Sequence, residues 1–319
     1  MVMEINLNIQ SFGEIWLDCQ YNMYFSILQS MDYSYYYMAL ENCYEYLVHD
    51  EITNYGTELN MITNRVLFDR ELYFEEIEVS VDLCGVEDLL EKIYDFLKMG
   101  KYVLVGVDLY DWIPESSTYH KYHWQHYALV TGISSCFHCV YVLDAAEGSY
   151  KEYKIPQQRF YNAVAASDYK SKLRILSWKH KGITLPYAVS CTKLYENAKQ
   201  INESIEFVMG EKFWLLSDDE YNTLEYMDLS TMYIYRIFNR HKGNITYFKF
   251  LQSELGLDTE KYVKVERELA DEWKLIQYKL VMNYHGRERH NRMLQLNAMA
   301  EKALLKELEM WREFQKGVI

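Results

Sequence analysis

The spacing of hydrophobic positions changes period several times along this chain. After Cys19 the apolar residues Met23, Ile27, Leu28 and Met31 recur at helical intervals, which predicts an amphipathic helix over roughly 19–31 with Cys19 at its start. A second helix is predicted over 35–48, with Tyr35, Met38, Ala39, Tyr46 and Leu47 along one side. Residues 86–99 (VEDLLEKIYDFLKM) place acids early and Lys98 late, the arrangement that complements a helix dipole, and Gly100 follows as a stop. The period then shortens. YVLVGVD (102–108) is β-branched and apolar, as a buried strand is, and HYALVTGI (126–133) and CVYVLD (139–144) are two further strands. The short connection around Ser134, Ser135, Cys136 and Phe137 makes the last two an antiparallel hairpin. A turn centred on Ser135 would set His126 directly opposite Asp144 on one face, and a one-residue slip would part them.

Beyond about residue 185 the helical period dominates. Residues 260–283 repeat apolar positions at Val265, Leu269, Trp273, Ile276 and Leu280, and 291–315 do so at Met293, Leu296, Ala300, Leu304, Leu308 and Trp311. Such stripes suit a bundle or a subunit seam, so homo-oligomerisation through the C-terminal helices is one expectation. A chain of 319 residues exceeds the usual size of a single core. With no internal repeat or low-complexity linker to mark a boundary, the division expected is 1–185 and 186–319.

Composition adjusts this outline. Gly (13) and Pro (3) are scarce, which favours long helices, while the 31 tyrosines read first as aromatic packing and second as a ring-lined channel. MVMEINLNIQ has neither a basic segment nor a continuous apolar one, so no signal peptide is expected, and no apolar run reaches the roughly 18 residues of a membrane span. The six cysteines lack a disulfide-scaffold spacing, pointing to reduced thiols and a cytoplasmic location. A net charge of −14 disfavours a general nucleic-acid binder.

Against that background one constellation carries chemistry. A thiol at a helix start is readily ionised, because unpaired N–H groups and the positive end of the dipole favour thiolate. A nucleophilic thiol also needs a base held by a third group, and the hairpin supplies His126 and Asp144. Each residue alone has a plainer reading, Cys19 as a small buried hydrophobe and His126 as a structural ring. The order Cys, His, Asp in helix, strand and strand favours catalysis.

The stretch VDLYDWIPESSTYHKYHWQHYALVTGISSCFHCVYVLDAAEG, together with DCQYN at 18–22, resembles the butirosin biosynthesis protein H family over roughly residues 14–150. The most specific part is the HxxHYxLVxG…VLD pattern. The resemblance implies an α+β chain: a papain-like cysteine protease fold, with an N-terminal helix plus antiparallel sheet, distantly akin to bacteriocin-leader peptidases. A mainly helical C-terminal domain would follow. It implies an acyltransferase of antibiotic-type biosynthesis that forms an amide from a carrier-protein thioester and a small amine. A likeness to the amide-forming cysteine enzyme of the closthioamide pathway points the same way. Cys19 is then the nucleophile, His126 the general base and acid, and Asp144 its orienter. His123, part of the matched motif, would line the site, and Asp108 reads equally as a contact to the substrate amine or as a carboxylate capping its loop. No metal or organic cofactor is implied, phosphopantetheine entering only as the arm of an acyl or peptidyl carrier.

The chain departs from the papain pattern in one respect. Position 13 is Gly where an oxyanion-hole Gln would stand, and Gln10 is too distant, leaving the Cys19 backbone N–H with Gln20 or Asn22 as candidate donors. Two zinc-like spacings, His120/His123/His126 and Cys136-Phe137-His138-Cys139, lack the second ligand pair a structural site needs. An acidic carrier would need a local basic surface, for which Arg287, Arg289 and Arg292 in HGRERHNR are the first candidate. Lys170, Lys172, Arg174, Lys179 and Lys181 are the second. The alternatives to acyl transfer are a peptidase or thioesterase using the same triad with water, and a non-enzymatic helical scaffold carrying a decayed protease-like domain.

Overall fold

The computed structural model describes residues 3–12, 19–31, 44–52, 58–67, 70–81, 85–116, 118–146, 149–169, 172–179, 191–211, 213, 224–284 and 289–318. The chain is mixed α+β, with an antiparallel sheet and a mostly helical C-terminal region. It divides into two compact units, one of residues 1–36 and 69–186, the other of 37–68 and 187–319. This differs from a single cut near residue 185, because 37–68 groups with the C-terminal helices.

The strands, in chain order, are β1 (Ile5–Asn6), β2 (Tyr44–Ile52), β3 (Glu58–Val66), β4 (Phe74–Ser80), β5 (Tyr102–Asp108), β6 (Gln125–Ile133), β7 (Cys139–Ala146), β8 (Ser149–Pro156) and β9 (Lys172–Trp178). The first unit is built on an antiparallel sheet in the order β4-β9-β5-β6-β7-β8, with β1 paired beside β6. Helices α1 (Cys19–Gln29), α2 (Val86–Lys98) and α3 (Gln157–Ala166) belong to it. One sheet face, carrying Val103, Val105, Val107, Ala128, Val130 and Val142, is packed by Leu89, Leu90, Ile93 and Leu97 of α2 and Phe160, Ala163 and Val164 of α3. These β-branched strands are buried because helices cover them, and Gly100 ends α2 as expected, at φ +70°.

The opposite face follows from strand alternation: Arg174 pairs with Leu104, Leu104 with Leu129, and Leu129 with Leu143. Helix α1 lies on this side. Its Tyr24 hydroxyl accepts from Arg174 Nη2 at 2.9 Å, and the Tyr24 ring sits 5.6 Å from that of Phe74. Arg174 also donates to Glu76 at 2.5 Å and its guanidinium lies 4.8 Å from the Tyr127 ring centroid.

The second unit combines the β2–β3 ribbon with α4 (Cys191–Gly210), α5 (Leu224–Leu255), α6 (Glu260–Tyr284) and α7 (Arg289–Gly317). The helix expected over 35–48 is corrected in part: residues 44–48 are strand, and 35–43 lie outside the described residues. Tyr44 and Tyr46 alternate inward from the ribbon and donate to Glu307 of α7 at 2.5 and 2.6 Å. Tyr24, Tyr44, Tyr46 and Tyr247 are all buried, which places these rings in packing. Among the described residues no helix is long and apolar enough to cross a membrane.

Candidate active site

Asp144 sits on β7, 2% exposed, and its carboxylate receives three donors. His126 Nε2 approaches Oδ1 at 2.7 Å, the Ala145 backbone N–H donates to the same oxygen at 2.6 Å, and the Trp112 indole N–H donates to Oδ2 at 2.6 Å. A buried carboxylate without partners would be strongly unfavourable, and these donors satisfy it while fixing its plane. With Nε2–H directed at Asp144, Nδ1 becomes the basic nitrogen of a neutral His126 ring. The His126 side chain is only 13% exposed, so the imidazole is held rather than swinging in solvent.

The pair forms, but not by direct cross-strand opposition. Leu129 faces Leu143, so Asp144 falls opposite Ala128, two residues along from His126 on the same face. The register shifts by one between Val130 and Gly132, where Thr131 is the extra residue of a bulge on β6. Nearer the turn Ile133 faces Val140, and continuing that register would have put His126 and Asp144 on opposite faces. The bulge restores the parity that lets the two side chains meet. The expected turn also takes an irregular form, with Cys136 and Phe137 at φ 58° and 60°.

A second histidine–carboxylate pair lies at the same end of the sheet. Asp108, 3% exposed, closes β5; its Oδ1 accepts from the Tyr110 backbone N–H at 2.9 Å and its Oδ2 meets His123 Nδ1 at 2.7 Å. The His123 ring stacks on Tyr110 with centroids 4.5 Å apart and planes within 11°. Its side chain remains 69% exposed.

Cys19 opens α1 as the spacing predicts; its side chain, like Cys43 and Cys84, lies outside the described residues. Helix α1 lies on the sheet face of Arg174, whereas His126 belongs to the face of Val107 and Ala128. Gln20 is partly exposed. Asn22 is wholly buried and donates to the Phe12 carbonyl at 2.9 Å, a bond that helps seat α1.

Arg287 lies outside the described residues, Arg289 opens α7 with its side chain likewise undescribed, and Arg292 is half-buried. The second basic run is less available than its charges suggest. Arg174 is buried against Glu76 and Tyr24, Lys172 pairs with Glu78 at 2.7 Å, and Lys179 donates to the Glu71 carbonyl at 2.5 Å. Lys170 and Lys181 lie outside the described residues. Among the described residues no group of three or more His, Cys, Asp or Glu is placed to hold a metal, and Cys136, Cys139 and Cys191 are free thiols.

Sequence reasoning missed Trp112. It lies in the aromatic loop after β5, and nothing in its spacing connects it to a carboxylate 32 positions later. No protein-family model matches the chain, and a search of curated proteins finds no match.

Proposed function

We propose that the chain is a papain-like cysteine acyltransferase that forms an amide from a carrier-bound acyl thioester and an amine, in the cytoplasmic assembly of a natural product. The observation that carries this reading is the partly buried His126–Asp144 hydrogen bond at 2.7 Å, clamped from its far side by Trp112. Such a base–orienter pair is what an activated thiol requires, and Cys19 at a helix start is the thiol suited to it. The Cys19 thiolate attacks the thioester carbonyl. The carrier's phosphopantetheine sulfur departs and takes a proton from the His126 imidazolium. The acyl group is then a thioester on Cys19, and attack by the amine forms the C–N bond and expels the Cys19 thiolate, while the amine's N–H proton passes to the neutral His126.

The test is intact-protein mass spectrometry after mixing with an acyl N-acetylcysteamine thioester. The expected result is a mass gain of one acyl group, located at Cys19, that disappears on adding amine with release of the amide. Release of free acid alone, unchanged by amine, would instead mean a thioesterase or peptidase with water as acceptor. No acyl-enzyme and no turnover would leave a non-catalytic scaffold.

A further inference from the structure

We propose that His123, oriented by Asp108, is a second general base that takes the first proton from an alkylammonium acceptor. The inference rests on the acyl-transfer reading and names the acceptor class of that same site. A buried carboxylate whose two oxygens hold a backbone N–H and an otherwise exposed imidazole is costly to build for solvent alone. Asp108 fixes the ring proton on Nδ1, Tyr110 stacks the ring in place, and Nε2 is left directed away from the carboxylate. Three residues of chain keep the His123 and His126 Cα atoms within about 11 Å of each other. Val107, next to Asp108, is directly opposite His126 across β5 and β6. Both pairs therefore occupy one end of the sheet.

Proton balance gives the second base its work. Acylation consumes the His126 proton, which leaves with the carrier thiol, so His126 is neutral when the amine arrives. An alkylamine at neutral pH is an ammonium ion, its pKa close to the roughly 10.4 of a lysine side chain. Converting it to an amide removes two protons. One must go before attack, since an ammonium nitrogen has no lone pair. The other goes as the tetrahedral intermediate collapses and the C–S bond to Cys19 breaks, and His126 takes it to restore the thiolate–imidazolium pair. His123 Nε2 accepts the earlier proton and passes it to water, to which its exposed edge is open.

The experiment loads Cys19 from an acyl N-acetylcysteamine thioester and follows aminolysis by propylamine and by methoxyamine, which is uncharged at neutral pH. It compares the wild-type protein with His123→Gln and Asp108→Asn. Asn at 108 can still accept from the Tyr110 N–H, so the turn is kept while the ring loses its orienter. Acylation of Cys19 is measured separately in each variant, and aminolysis is scored per acyl-enzyme formed. The variants' propylamine rate should fall about 10- to 100-fold further than their methoxyamine rate, toward the low end of general-base effects, and the deficit should shrink as pH rises. Equal losses with both amines, or none with propylamine, would overturn the assignment while leaving the acyl-enzyme intact. Absence of acylation in the wild-type protein would overturn the proposed function and this inference together.

Discussion

Trp112 donates its indole N–H to Asp144 Oδ2 at 2.6 Å, on the far side of the carboxylate that meets His126 at 2.7 Å. Removing that donor leaves a buried oxygen without its partner. Trp112→Phe keeps the ring beside Phe160 and is expected to destabilise the protein by about 1–3 kcal/mol through the unpaired group. Chemical denaturation measures this. Loss of the clamp should also slow acylation, though less than Asp144→Asn, which removes the orienter's charge. A Trp112→Phe variant with unchanged stability and unchanged acylation would show that the indole contributes neither.

The thiols offer a sharper discrimination. Cys136 and Cys191 are exposed, so iodoacetamide will reach them regardless of function. A nucleophile is set apart by rate and consequence. Peptide mapping at low reagent excess should find Cys19 alkylated first, with activity lost in proportion. Cys136→Ser and Cys191→Ser should retain turnover, and Cys19→Ala should abolish it. Turnover surviving Cys19→Ala would exclude the covalent mechanism.

The elements most legible in the sequence were those whose period matched a single environment. The strand read over 102–108 is β5 without change, and the helices read over 260–283 and 291–315 are α6 and α7 to within a few residues. The spacing also brought His126 and Asp144 to one face, but through the wrong register, because a bulge at Thr131 leaves no mark in a hydrophobic pattern. Residues 44–48 misled because Tyr46 and Leu47 continue the helical stripe of Tyr35, Met38 and Ala39, while Tyr44 and Tyr46 also fit an inward alternation, and only the partner Glu307, far along the chain, decides between them. Arg174 looked like part of a basic surface for a comparable reason. Its burial depends on Glu76 and Tyr24, which strand pairing and α1 bring from distant segments.

Carrier docking can be tested by charge reversal at the first basic run. A chain at −14 would repel an acidic carrier unless a local basic surface intervenes. Arg287→Glu combined with Arg289→Glu should raise KM for the carrier-bound donor and weaken its salt dependence, with turnover of the small thioester analogue as the comparison. An equal loss on both donors would indicate damage to the fold, and no loss on either would remove this run from the docking surface.

The second unit should respond to pH through a buried charge cluster on α5, α6 and α7. His241 Nδ1 meets Glu266 at 2.6 Å and its Nε2 lies 3.7 Å from Glu307. Asn244 donates to Glu266, Tyr44 and Tyr46 donate to Glu307, and the Arg240 guanidinium lies 4.6 Å from the Tyr44 ring centroid. Burial alone would hold the His241 imidazolium down, but Glu307 and Glu266 outweigh it and raise its pKa, against a lesser opposing effect of Arg240. Burial raises Glu266 as well, with Glu307 adding to the effect and His241 opposing it. In both cases the folded state holds its proton to higher pH than the unfolded chain does. The stabilisation is therefore complete below the unfolded pKa and is lost as pH rises through the folded one. For His241 the loss begins near the unperturbed value of about 6.5 and extends upward. Melting curves from pH 6 to 9 should show stability falling with pH, and His241→Gln should flatten that slope even if it lowers Tm throughout. A wild-type slope that is flat or rising over this range, or one that His241→Gln leaves unaltered, would mean that His241 does not carry a proton in the folded core.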